Sequence, residues 1–120
     1  MSEDRTRRLF AAVDTKDAEA FGAFLADDAR LTFGNAEPLL GAEAIVAGIG
    51  AFFSTIDGLR HRIVNQWYAD AETVAETEVT YQRLDGKSVT VPAVSIWRTR
   101  EDGLIDDYRI FVDLAPVYAA

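Results

Sequence analysis

The chain has 120 residues and no cysteine, which excludes disulfides, thiolate nucleophiles and cysteine-ligated zinc or iron–sulfur sites within it. A formal net charge of −8 and a pI near 4.5 argue against a nucleic-acid backbone as partner. Apolar residues at 49% suffice for one buried core, so a single domain is expected over 1–120, and no apolar run reaches the roughly 18 residues that suggest a membrane span.

The opening Met1-Ser2-Glu3-Asp4-Arg5-Thr6-Arg7-Arg8 lacks the apolar stretch of a secretory signal, and a cytoplasmic location is expected. Arg5, Arg7 and Arg8 are diluted by Glu3 and Asp4 and suit a solvated helix face. Leu9, Phe10 and Val13 fall on one side of residues 3–13, which predicts a first amphipathic helix. Asp14 or Thr15 then caps a second helix, in which Ala18, Phe21, Phe24 and Leu25 recur at helical spacing and which Asp27-Asp28 ends. Residues 29–33 alternate as a short strand, broken by Gly34-Asn35 and Glu37-Pro38. Gly41 leads into a third helix with the stripe Ile45, Ile49, Phe52, Phe53 and Ile56. Gly48 and Gly50 weaken it by about 1 kcal/mol each against Ala, and their missing side chains are expected to let it lie close to a sheet.

After Asp57-Gly58 the apolar period changes to two. Residues 59–69, 73–84, 88–99 and 104–113 form four long strands, joined at Ala69-Asp70-Ala71-Glu72, Asp85-Gly86-Lys87 and Glu101-Asp102-Gly103. Asp-Gly between alternating runs is a strong hairpin signal and occurs twice. Pro92 predicts an edge position or a bulge in the third of these strands. Helices followed by an antiparallel meander make the chain α+β.

The last strand sorts into two faces, Tyr108, Ile110 and Val112 on one and Asp107, Arg109, Phe111 and Asp113 on the other. Charge and an aromatic on the same side suit a half-polar pocket wall, since unpaired charges do not suit a plain core. His61, the one histidine, opens the first long strand, and alternation puts Ile63, Asn65 and Trp67 on its face. An imidazole beside Asp113 would form an acid/base dyad, and Arg109, four residues from Asp113, could orient it or stabilise an oxyanion. Each has a structural alternative: an Asp bonded to the Leu114-Ala115 turn, a satisfied histidine at a strand start, and an Arg in a salt bridge. One histidine without cysteine or an Asp-rich motif gives no reason to expect a metal. Glu76 and Glu78 lie about 7 Å apart on one strand and point the same way. They suit a solvated or interface face better than the opposed carboxylates of a glycosidase.

Three pieces of the sequence carry a family resemblance. They are Leu31-Thr32-Phe33-Gly34-Asn35 ahead of Gly41-Ala42-Glu43-Ala44-Ile45, His61 at a strand opening, and Tyr108-Arg109-Ile110-Phe111-Val112-Asp113. With the element order, they make nearly the whole chain resemble the nuclear-transport-factor-2-like cone fold, and within it the SnoaL-like group. The resemblance implies a curved antiparallel sheet wrapped around N-terminal helices, an apolar pocket at one end of the cone, and a homodimer formed sheet against sheet. It places the general acid/base of SnoaL-like polyketide cyclases at Asp113. The group also includes ketosteroid isomerase, limonene epoxide hydrolase and scytalone dehydratase, besides proteins that only bind, so fold alone does not settle function. Position 42 is Ala where the group's helix opening has Arg, which disfavours anionic ligands.

The expected site therefore holds a small, largely apolar molecule near Asp113, His61 and Arg109. Phe111, Trp67, Asn65, Ile63, Phe33, Phe53 and Trp97 supply its surroundings, and Tyr108, Ile110 and Val112 face a dimer partner. The expected chemistry is cofactor-free acid/base work of the isomerase, cyclase, dehydratase or epoxide-opening kind. The alternatives are a ligand-binding or interaction module without turnover, and a structural dimer with a collapsed pocket.

Overall fold

The computed structural model describes residues 3–120, so residues 1 and 2, part of the expected domain, lie outside the described residues. The elements run α1 (Glu3–Asp14), α2 (Ala18–Gly22), β1 (Leu25–Phe33), β2 (Leu39–Leu40), α3 (Ala42–Phe53), β3 (Gly58–Ala69), β4 (Glu72–Gln82), β5 (Ser88–Thr99), β6 (Ile105–Val112) and α4 (Ala115–Tyr118). Six strands form one curled, unclosed sheet in the order β2-β1-β6-β5-β4-β3, with β1 and β6 parallel and all other neighbours antiparallel. The α+β class expected from the sequence is the one found. No helix among the described residues is long and apolar enough to cross a membrane.

Both Asp-Gly hairpins close in the same way. Gly86 and Gly103 each take φ +87, a conformation glycine adopts freely. In each turn the Asp side chain accepts the backbone N–H two residues on, Lys87 at 3.0 Å and Leu104 at 2.9 Å. Pro92 lies just past the last β5–β6 pair, Ala93 with Val112, where β5 has lost its neighbour on that side. An edge is thus created locally inside a central strand.

The second helix is shorter than expected. Asp17, not Asp14 or Thr15, caps α2 by accepting the Ala20 N–H at 3.0 Å. The helix stops at Gly22, where a Cβ would come within 2.5 Å of Val46 Cγ2 on α3. Leu25 and Ala26 are then buried in β1 instead of extending a helical face. Gly48 brings α3 close beneath β2, where a Cβ would meet Leu39 Cδ1 at 2.6 Å.

The core lies between the helices and the inner face of the sheet, and its strand residues follow the two-residue period. On β4 the buried set is Thr73, Ala75, Thr77, Val79 and Tyr81, with Glu76 and Glu78 on the outer face as expected. On β6 the inner face carries Tyr108, which is 2% exposed and stacked on Trp97 with ring centroids 5.3 Å apart. Ile110 and Val112 pack against the same core. This corrects the expected orientation of β6: Tyr108, Ile110 and Val112 point inward, and the Arg109–Phe111 side points out.

Candidate functional site

Helices α1 and α3 and the inner sheet face enclose a narrow cavity of about 40 Å³, room for a few water-sized groups. Its walls are mainly aromatic and aliphatic, with Phe10, Phe21, Phe33, Phe52 and Phe53 contributing rings. The polar side chains on its lining are His61, Tyr81, Ser95 and Tyr108, and no Lys, Arg, Asp or Glu is among the described residues that line it. Burial raises the phenols of Tyr81 and Tyr108 above their ordinary range, so both remain neutral O–H groups at physiological pH.

His61 is held by a carboxylate that ends the first helix. Asp14 is the last residue of α1, and packing of α1 over β3 brings its two oxygens to His61. Oδ2 accepts the His61 backbone N–H at 3.0 Å, and Oδ1 lies 2.7 Å from Nδ1. The backbone bond fixes the carboxylate, so the ionised oxygen at Nδ1 favours a proton on that nitrogen. Nε2 has no hydrogen-bond partner among the described residues. Phe10, one turn before Asp14, stacks on the imidazole with centroids 4.6 Å apart and fixes the ring plane. The side chains of His61 and Asp14 are 11% and 22% exposed, so their contact is largely shielded from water.

The structure brings three of the expected site residues, His61, Phe33 and Phe53, to this cavity. Asp113 lies elsewhere. It is exposed just beyond β6, and its Oδ1 accepts the Ala115 N–H at 2.9 Å in the turn before α4. His61 and Asp113 form no dyad, because the partner of His61 is Asp14. Arg109 projects from the outer face, bonded to Glu72 at 3.0 Å and paired with Asp107 at 3.3 Å. Phe111, on that face, is 53% exposed.

Asn65 and Trp67 are also outside, for a local reason. The β3–β4 register shifts between Ile63 and Asn65, leaving Val64 as an extra residue. That bulge puts Gln66 and Tyr68 opposite Ala75 and Thr73 on the inner face and turns Asn65 and Trp67 outward. Ile63 packs against the core, and Trp97 is fully buried behind Tyr108; neither lines the cavity.

The sequence reading missed Asp14, Tyr81, Ser95 and Tyr108 as site residues. For Asp14 a signal existed. A carboxylate in the last turn of a helix opposes the macrodipole, so an acid there without a basic neighbour in that turn calls for a partner elsewhere.

The SnoaL-like domain family matches residues 6–108. No curated protein matches the chain, while many solved structures share its fold. An NTF2-like protein of unknown function from Burkholderia pseudomallei K96243 superimposes with TM-score 0.88 at 20% identity, covering 100% of both chains. A hypothetical protein with a ketosteroid isomerase-like fold from Catenulispora acidiphila, solved with trimethylamine, gives TM-score 0.87 at 18% identity over 98% of this chain and 91% of that one. An LEH-like epoxide hydrolase from M. tuberculosis gives 0.77 at 14% identity over 94% and 83%. With a family match over most of its length and this fold, the chain belongs to the SnoaL-like domain family.

Proposed function

We propose that the cavity binds a small, neutral, largely apolar molecule and that His61, oriented by Asp14, acts on it as a general base without a cofactor. The observation that carries this reading is the 2.7 Å contact between His61 Nδ1 and Asp14 Oδ1 at the wall of an otherwise apolar cavity. With the proton on Nδ1, the lone pair on Nε2 is left to take a proton from the ligand. Removal of a proton from a carbon beside a carbonyl leaves negative charge on the carbonyl oxygen. A neutral phenol, Tyr81 or Tyr108, is the kind of donor that stabilises such an oxyanion. In a β,γ-unsaturated ketone that enolate is conjugated, and return of the proton from the imidazolium to the γ-carbon completes an isomerisation and restores the neutral ring. The absence of a cation from the described lining supports a neutral ligand, because a buried carboxylate or phosphate would lack a counter-charge.

The test is proton abstraction itself. A panel of small cyclic ketones is incubated with the protein in deuterated buffer, and deuterium entering the α-carbon is followed by NMR. Exchange above background, lost in His61→Gln while ketone binding persists, is the expected result. Binding without exchange across the panel refutes general-base catalysis on this substrate class and leaves a binding module.

The outer sheet face supports a second reading, a homodimer. Trp67 and Phe111 are 50% and 53% exposed there, on rows that also carry Val94 and Ile96. Arg62–Glu78 and Arg109–Glu72 pairs lie on the same face. A second copy could cover this apolar strip with like residues and place charge pairs around it.

A further inference from the structure

A second apolar recess adjoins the cavity. It lies between α3, β2 and residues 34–38, and Leu114 closes one side. Phe33, Ile49 and Phe52 are walls of both spaces. Phe33 and Phe52 meet with ring centroids 5.0 Å apart, so paired side chains contribute to the partition. Both rings are half-buried, and Phe52 also touches Phe53 and the edge of Tyr81 at centroid distances of 6.1 and 6.2 Å.

The recess is the larger of the two, about 320 Å³ against 40 Å³ on the same measure. Gly48 gives it a wall of helix backbone over which Leu39 lies. Glu37, exposed, is the one ionisable side chain among the described residues that line it. A space with apolar walls, joined through two rings to a cavity whose polar groups are His61, Tyr81, Ser95 and Tyr108, fits a molecule with one polar head and an apolar tail.

We infer that the recess is the distal subsite of the same ligand site, with Phe52 as the movable partition. It takes the alkyl tail of a neutral, single-headed molecule whose oxygen-bearing end reaches His61. This inference rests on the proposed use of the cavity and extends it to a substrate class, elongated ketones rather than compact ones. A tail ending in a carboxylate is disfavoured, because Glu37 is the charge it would meet.

A homologous series of straight-chain methyl ketones tests it, with dissociation constants from calorimetry and the His61 imidazole followed by NMR. Affinity is expected to rise about fourfold per added methylene, continuing beyond the chain length that fills the inner cavity. The imidazole signals should shift with every member. Ala36→Phe, on an exposed loop residue at the recess wall, is expected to erase the gain for the longer members. A gain that stops at the short ketones in the native protein, or survives Ala36→Phe, overturns the subsite alone. Short ketones that neither bind nor shift His61 overturn the reading of the cavity and the subsite with it.

Discussion

Asp14→Asn tests the dyad through the tautomer of a single ring. In the native chain the carboxylate offers two acceptors, Oδ2 to the His61 backbone N–H at 3.0 Å and Oδ1 to Nδ1 at 2.7 Å. Asparagine keeps one acceptor and replaces the other with an NH₂ donor. The backbone N–H can only donate, so the amide oxygen is expected to stay opposite it and the NH₂ to face Nδ1. A proton on Nδ1 would then point at another donor. The ring resolves the conflict by moving its proton to Nε2 and accepting at Nδ1. A hydrogen bond to a charged group contributes about 1.5–3 kcal/mol and a neutral one about 0.5–1.5 kcal/mol, so the change is expected to cost about 1–2 kcal/mol of stability. Its effect on proton abstraction is larger, because Nε2 now carries the proton it must accept. Loss of a general base lowers rates by about 10²–10⁴, and the wrong-tautomer effect is established for the serine protease triad. The chain has one histidine, so two-bond proton–nitrogen correlation spectra of the neutral ring report the tautomer without assignment. Native protein should show Nδ1–H and Asp14→Asn should show Nε2–H, with α-deuteration falling in step. A native ring protonated on Nε2, or an Asp14→Asn ring still protonated on Nδ1, refutes the reasoning.

Three further outcomes are expected. Asp113→Ala removes the bond to the Ala115 N–H and should cost about 1 kcal/mol in chemical denaturation, with α-deuteration unchanged; a tenfold loss of exchange would return Asp113 to the site. Replacing both Trp67 and Phe111 with Lys on the outer face should turn a sedimenting dimer into a monomer that retains its circular dichroism, whereas a native protein already monomeric at high concentration refutes the sheet-face dimer. Burial holds the Tyr81 and Tyr108 phenols above the ordinary tyrosine value of 10.0. Their neutral form is therefore favoured by the fold, and that stability is complete below about pH 10 and lost as pH rises past it. Phenolate absorbance from these two positions should appear only with alkaline unfolding, and Tyr108→Phe should move the unfolding midpoint upward. Ionisation at both positions in a chain that keeps its native circular dichroism refutes their burial.

The meander was legible because hairpins are written locally. Each Asp-Gly carries its own turn chemistry, and alternation assigned the residues of β4 to the correct faces. The α2–β1 boundary was less legible, since Phe24 and Leu25 continue a helical spacing that the Gly22–Val46 approach ends. Residue spacing on β6 showed that Arg109, Phe111 and Asp113 belong together, but alternation has no inside. What decides it is the Trp97–Tyr108 stack and the Arg109–Glu72 ion pair, both contacts between strands, with Asp107 pairing to Arg109 within β6. A half-buried cation on the outer face with two carboxylates needs no pocket, and Tyr108, stacked on Trp97 and 2% exposed, cannot meet a dimer partner.

The same logic separates a histidine from its partner in the chain. The distance from His61 to either carboxylate in sequence is large, and nothing local favours Asp14 over Asp113. The choice is made when α1 lies over β3 through Phe10, which stacks on His61 and meets the edge of Trp97 at 5.9 Å. Phe10 and Asp14 are four residues apart and share one helix face. One residue packs the helix onto the core, and the other delivers the carboxylate. The β3 bulge works with them. His61 and Ile63 precede Val64 and keep the inward phase, while Asn65 and Trp67 follow it and lose that phase. The outer face thereby gains the exposed Trp67 that the dimer reading uses. Deleting Val64 removes the extra residue and leaves Asn65 opposite Glu76 and Trp67 opposite Val74, so both stay outward in a regular ladder. The chain should then keep sheet-face association, and the His61–Asp14 contact, set before the bulge, is retained. Loss of that contact with association intact would show that the bulge supports the dyad rather than the face.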